Sequence, residues 1–143
     1  MLPRLTGKVG RWPRRSAYVS AATSFGGGDV TLTTGAGANI TSISLTSGDW
    51  DVSAQVYFES SGAIAGNTYN YGSISQTSAT LDTASGKYGL APFFTAASQD
   101  LSASTPVVRK SLSATTTIYL VAQSAFSAGT IKAWGFLGAR RIG

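Results

Sequence analysis

From Trp50 to Glu59 the sequence alternates without a break. Trp50, Val52, Ala54, Val56 and Phe58 share one parity, and Asp51, Ser53, Gln55, Tyr57 and Glu59 share the other. Successive side chains of a strand point to opposite faces, so this run predicts a strand with one face in a core and one toward water. A helix would scatter the same five apolar residues around its circumference. The run commits this part of the chain to a sheet and places Trp50 in its core.

The rest of the chain follows the same period in shorter pieces. Tyr18–Thr23, Val30–Thr34, Asn39–Leu45, Thr68–Gln76, Ala79–Leu81, Tyr88–Thr95, Val107–Leu112, Thr116–Gln123 and Thr130–Arg140 read as further strands. Gly26-Gly27-Gly28-Asp29, Gly35-Ala36-Gly37, Thr46-Ser47-Gly48-Asp49 and Asp82–Lys87 carry turn chemistry, and Ser60–Gly66 and Ala96–Ala103 read as loops. Pro92 cannot donate to a ladder and marks an edge or a bulge. No stretch holds helical periodicity. The pattern predicts an all-β fold, an antiparallel jelly-roll sandwich of about eight to ten short strands, over residues 16–143.

Two strands are apolar on both faces. In Thr116–Gln123, Ile118, Leu120 and Ala122 face one way, while Tyr119 and Val121 face the other. In Thr130–Arg140, Ile131, Ala133 and Leu137 oppose Trp134 and Phe136. A sandwich needs one apolar face per strand. The second face predicts a cover, most simply another copy of the chain in a homo-oligomer, with Tyr119, Val121, Trp134 and Phe136 as interface candidates. The competing reading places these side chains under a loop of the same chain or singly on the surface.

Charge divides the chain. Of its 11 basic residues, Arg4, Lys8, Arg11, Arg14 and Arg15 stand in the first 15 positions with no acid among them. The remaining basic residues balance the six acids, so the net charge of +5 belongs to the arm. Pro3, Gly7, Gly10 and Pro13 interrupt any regular element there. Residues 1–15 read as an extended basic arm, with Arg4, Lys8, Arg11, Trp12, Arg14 and Arg15 as its contact residues. Such an arm suits an anchor on a protein partner first, a solvated tail second and nucleic acid third.

Most catalytic chemistry lacks its residues. There is no His and no Cys, which removes imidazole bases, thiolate nucleophiles and the usual zinc ligands. Glu59 is the single Glu, and most of the five Asp residues stand in turn-like contexts, which leaves little for a paired-carboxylate glycosidase. Asp49 and Asp51 share a strand parity, but no further acid nearby completes the 6–8 oxygens that calcium takes. Gly26-Gly27-Gly28 lacks the Lys-Ser/Thr and the helix of a phosphate loop. The expectation is no catalytic residue, no cofactor and no metal. No apolar run is long enough to cross a membrane as a helix.

Four segments carry a family resemblance. Leu45–Ser53 (LTSGDWDVS), Gly72–Leu81 (GSISQTSATL), Ala114–Gln123 (ATTTIYLVAQ) and Ala133–Ile142 (AWGFLGARRI) stand in the order of motifs in virion proteins of tailed bacteriophages. The order is also similar to that of the C1q and tumour-necrosis-factor type of jelly roll. The resemblance spans roughly Asn39 to the C-terminus and implies a jelly-roll module on a virion, often trimeric. It implies a capsid decoration, cement or head-fibre protein that contacts the major capsid protein. The alternative is a tail-fibre tip that binds a host surface glycan or protein, with Tyr57, Tyr69, Tyr71 and Tyr88 as contact candidates.

Overall fold

A computed structural model describes residues 17–96 and 98–143. Ten strands form two antiparallel sheets: β1 (Tyr18–Ala22), β2 (Val30–Thr31), β3 (Ala38–Leu45), β4 (Gly48–Ala65), β5 (Tyr69–Ser75), β6 (Tyr88–Ala91), β7 (Asp100–Ser104), β8 (Val108–Leu112), β9 (Thr116–Ala125) and β10 (Ala128–Arg141). The six-stranded sheet runs β1-β10-β4-β7, with β2 beside β10 and β8 beside β4. The four-stranded sheet runs β3-β9-β5-β6.

The pairing is nested. The start of the chain (β1 and β2) pairs with its end (β10), β3 pairs with β9, β4 with β7 and β8, and β5 with β6. A long hairpin folded over on itself gives this pattern, which is the jelly roll. The expected all-β, antiparallel sandwich is the fold.

The core lies between the sheets and follows the parity of the sequence. Trp50, Val52, Ala54, Val56 and Phe58 of β4 are all buried, as are Ile131, Ala133, Leu137 and Ala139 of β10. Ile43 and Leu45 of β3, Ile74 of β5, and Ile118, Leu120 and Ala122 of β9 meet them from the other sheet. Two glycines let the layers close. A Cβ at Gly72 would strike Val56 across the sandwich, and one at Gly135 would strike the Gln55 carbonyl and Leu120. The Trp50 indole N–H donates to the Thr46 carbonyl at 3.0 Å, so the polar atom of this buried ring is satisfied.

Three expectations fail locally. Ser60–Gly66, read as a loop, is strand through Ala65, because Ser60 and Ser61 pair with Ile131 and Thr130, and Ala65 pairs with Ala128 beyond a bulge in β4. Ala96–Ala103 contains β7, whose Asp100–Ser104 pairs with Gln55–Glu59. Ala79–Leu81 is not a strand. Its Ala79 sits at φ 52°, and Asn39 pins the turn: its Oδ1 accepts from the Ala79 N–H at 2.7 Å and its Nδ2 donates to Ser78 Oγ at 2.7 Å.

Candidate binding surfaces

The outer face of the six-stranded sheet is aromatic along its middle. β4 and β10 pair in a register that sets Trp134 opposite Tyr57, and their rings stack 5.8 Å apart at 13°. Phe25, in the turn between β1 and β2, leans on the other side of Trp134 at 5.6 Å. That turn contains the three glycines and is closed by backbone bonds between Ser24 and Gly27. Farther along β10, Phe136 and Tyr18 converge over Gly138, where a Cβ would collide with both. Tyr18 and Phe25 are about 60% exposed and Tyr57 and Phe136 just over a third. Five aromatic rings thus share one outward face, four of them exposed and Trp134 half-buried among them.

The outer face of the four-stranded sheet carries tyrosines. Tyr69 and Tyr71, two apart on β5, stack at 4.5 Å and 14°. Tyr88 of β6 meets Tyr71 edge-on at 5.7 Å and 64°. Gln123 of β9 donates from Nε2 to Tyr69 Oη at 2.8 Å and to the Gly35 carbonyl at 3.2 Å, which fixes the first ring. Beside this row, Thr68–Tyr71 and Leu90–Phe93 line a groove of about 420 Å3. Leu90 and Phe93 are 62% and 56% exposed on its rim.

Beneath the groove lies a closed amide network. Asn70 is fully buried and faces Asn67: Asn70 Nδ2 donates to Asn67 Oδ1 at 2.8 Å and to the Pro92 carbonyl at 2.8 Å, and Asn67 Nδ2 donates back to Asn70 Oδ1 at 3.0 Å. Asn67 Oδ1 also accepts from the Phe94 N–H at 3.0 Å. The network ties the segment after β6 to the start of β5 and so holds Phe93 at the rim.

The four expected interface residues do not share a surface. Trp134 and Phe136 stand on the outer face of the six-stranded sheet, and Tyr119 is half-buried on the outer face of the four-stranded sheet. Val121 is fully buried within its own chain. The turn around Ala79 crosses over it, packed so closely that a Cβ at Gly37 would meet both the Ala79 carbonyl and Val121. The second apolar face of β9 is covered at this point by a loop and not by a second copy. The tyrosine candidates divide likewise: Tyr69, Tyr71 and Tyr88 come together, while Tyr57 belongs to the opposite face. Arg4, Lys8, Arg11, Trp12, Arg14 and Arg15 lie outside the described residues.

The acidic candidates have structural partners. Asp51 binds Arg109, carboxylate to Nε, at 2.7 Å. The backbone of Asp49 pairs with Ile142 and Gly143. Among the described residues no three or more His, Cys, Asp or Glu side chains gather as a metal site, and no helix is long and apolar enough to cross a membrane. One charged residue went unnoticed in the sequence. Lys110 of β8 stands opposite Trp50 with Val108 and Leu112 on its parity, and it is only 7% exposed. Burial, and next the nearby Lys87, push its pKa below the usual lysine value, and Asp82 opposes them in part. The strict apolar-polar alternation of Val108–Leu112, broken inward by a Lys, was the available signal.

No protein-family model matches the chain, and no curated protein matches it. Among solved structures, a chain from the structure of infectious bursal disease virus, Gx strain, is similar over 89% of this chain at a TM-score of 0.51 and 12% identity. This chain spans 32% of that one. At such identity the likeness is one of fold: two chains with no evident sequence relation share a jelly-roll sandwich.

Proposed function

We propose that this chain is a non-enzymatic structural protein of a virus particle. In this reading it self-associates, most simply as a trimer, through the aromatic outer face of the six-stranded sheet. It docks on the capsid through residues 1–15, as a decoration, cement or head-fibre protein. The carrying observation is the aromatic row of Tyr18, Phe25, Tyr57, Trp134 and Phe136, which lies on a sheet face with no layer of the described residues over it. Exposed aromatic area of this kind in a polar, weakly charged protein marks an interface. The fold shared with a viral chain and the concentration of positive charge in the arm support the same reading. Native mass spectrometry of the protein, with a cryo-EM map of the particle fitted with this chain, tests it. An oligomer seated on the shell through residues 1–15 is expected, and a monomer absent from the particle refutes it.

A second reading, the tip of a tail fibre that binds a host surface glycan or protein, is favoured by the tyrosine row on the opposite sheet. Copy number separates the two. Decoration requires many copies spread over the head, and a fibre tip requires few at the tail.

A further inference from the structure

We infer that the groove beside Tyr69 and Tyr71 is a binding site for neutral pyranose sugars of a surface glycan. The inference rests on the second reading, that this face meets a host surface, and names the ligand class. Its size fits a small ligand, since such sites run from about 300 to 1,000 Å3. Its lining is uncharged: among the described residues, no Asp, Glu, Lys or Arg borders it. An ionised ligand would therefore lose its water without gaining a counter-charge. What the groove offers is ring faces, the exposed Leu90 and Phe93, and phenol hydroxyls. A pyranose presents the matching surface, with C–H groups on its faces for the electron-rich rings and hydroxyls on its edge that both donate and accept, as phenols do.

The backbone around the groove disfavours an extended peptide. β6 is the edge strand of its sheet and has four residues, ending before Pro92, which has no N–H to give. A Cβ at Gly89 would meet the Ser104 carbonyl, so the end of β7 already crowds that strand. An added strand would find few ladder positions there. Binding must run through side-chain faces. The Gln123 bond on Tyr69 and the Asn67–Asn70 network hold those faces before a ligand arrives, which lowers the ordering cost of binding. The groove also lies on the side of the sandwich opposite the Trp134 face, so self-association there leaves it open. An oligomer would display several weak sites together and gain avidity.

The test is retention of the full-length protein on three sets of surfaces: neutral polysaccharides (dextran, mannan, galactan), charged polysaccharides (heparin, polygalacturonate) and a proline-rich peptide. Retention on at least one neutral polysaccharide is expected, unchanged up to roughly 0.5 M salt, because no charge pair contributes. Phe93→Ala and Tyr71→Ala should each weaken it about tenfold or more, the loss of roughly 1.4 kcal/mol that one ring contact supplies. Light scattering should show their oligomer mass unchanged. If Tyr71→Ala fails to fold, Leu90→Ala, at an exposed position, replaces it. Groove-dependent binding to the charged surfaces or the peptide alone overturns the sugar assignment and leaves the second reading standing. Binding that both variants retain also overturns it, and no binding to any surface overturns both.

Discussion

Trp134 stacks on Tyr57 across the β4–β10 pair, the pair that forms the centre of the six-stranded sheet. Such a stack contributes about 0.5–1.5 kcal/mol to its own sheet, yet it leaves ring surface in water. Trp134→Lys is expected to keep the far-ultraviolet β spectrum and lower the mass measured by light scattering to that of one chain. Phe136→Lys should do the same. An unchanged mass in both variants would remove this face from the interface.

The Trp50 ring is 2% exposed, bonded through its N–H to Thr46, with the Arg141 guanidinium 5.8 Å from its centre. Trp50→Ala should cost about 3–5 kcal/mol in urea unfolding, since the cavity would lie between two sheets that cannot both collapse. A loss below about 1 kcal/mol would mean that the side chain is not in the core.

Lys110 makes stability depend on pH in a particular direction. Its folded pKa lies below the ordinary lysine value of 10.5, because burial and Lys87 penalise the charge. Between that lowered value and 10.5 the unfolded chain binds more protons than the folded one, so stability from this position rises with pH across the window. Lys110→Met should stabilise the protein at neutral pH and remove this contribution to the rise. Urea midpoints of wild type and variant, compared from neutral pH to 10.5, check both effects.

Asn70→Ala should cost about 1–3 kcal/mol, because it removes both Asn70–Asn67 amide bonds and the Asn70 donor to the Pro92 carbonyl, leaving Asn67 held only by the Ala125 carbonyl, the Phe94 N–H and a long bond to the Tyr69 carbonyl. Calorimetric melting measures this. Phe93 should also become mobile, which fluorine NMR of a labelled ring would detect.

Deletion of residues 1–15 is expected to leave the β spectrum and the oligomer mass intact and to abolish attachment to particles. Attachment of the full chain should weaken with salt, because Arg and Lys carry part of it. Co-sedimentation with particles at several salt concentrations measures both. Tight binding by the shortened chain would leave the arm without a docking role.

What the sequence made legible follows from where burial alone decides structure. The strand Trp50–Phe58 and the faces of β9 and β10 could be read because a core demands alternation. β7 could not. Its Asp-Leu-Ser-Ala-Ser has one large apolar residue, and it is a strand because β4 presents an edge to it. The end of β4 is the same case, Ser- and Gly-rich and held by β10. Ala79–Leu81 erred in the other direction, since β-branched and apolar residues there cap Val121 as a turn. Of the candidate surfaces, the outward rings of Trp134 and Phe136 were legible as a second apolar face. That Tyr69, Tyr71 and Tyr88 form one row depends on the β5–β6 register, which no local pattern states.

The nested pairing has a consequence for how the protein comes to exist. Tyr18 finds its partner in Arg140, and the long edge of β4 finds its partner in the same last strand. At synthesis rates of about 5–20 residues per second, β4 waits seconds beside nothing that can pair along its β10 side. Its alternating face would then be open to another nascent copy. Asp51 and Glu59 on its outward parity put charge along a ribbon otherwise suited to stick. The sandwich closes only once residue 141 has emerged, so its folding is an event that follows translation of the whole jelly roll.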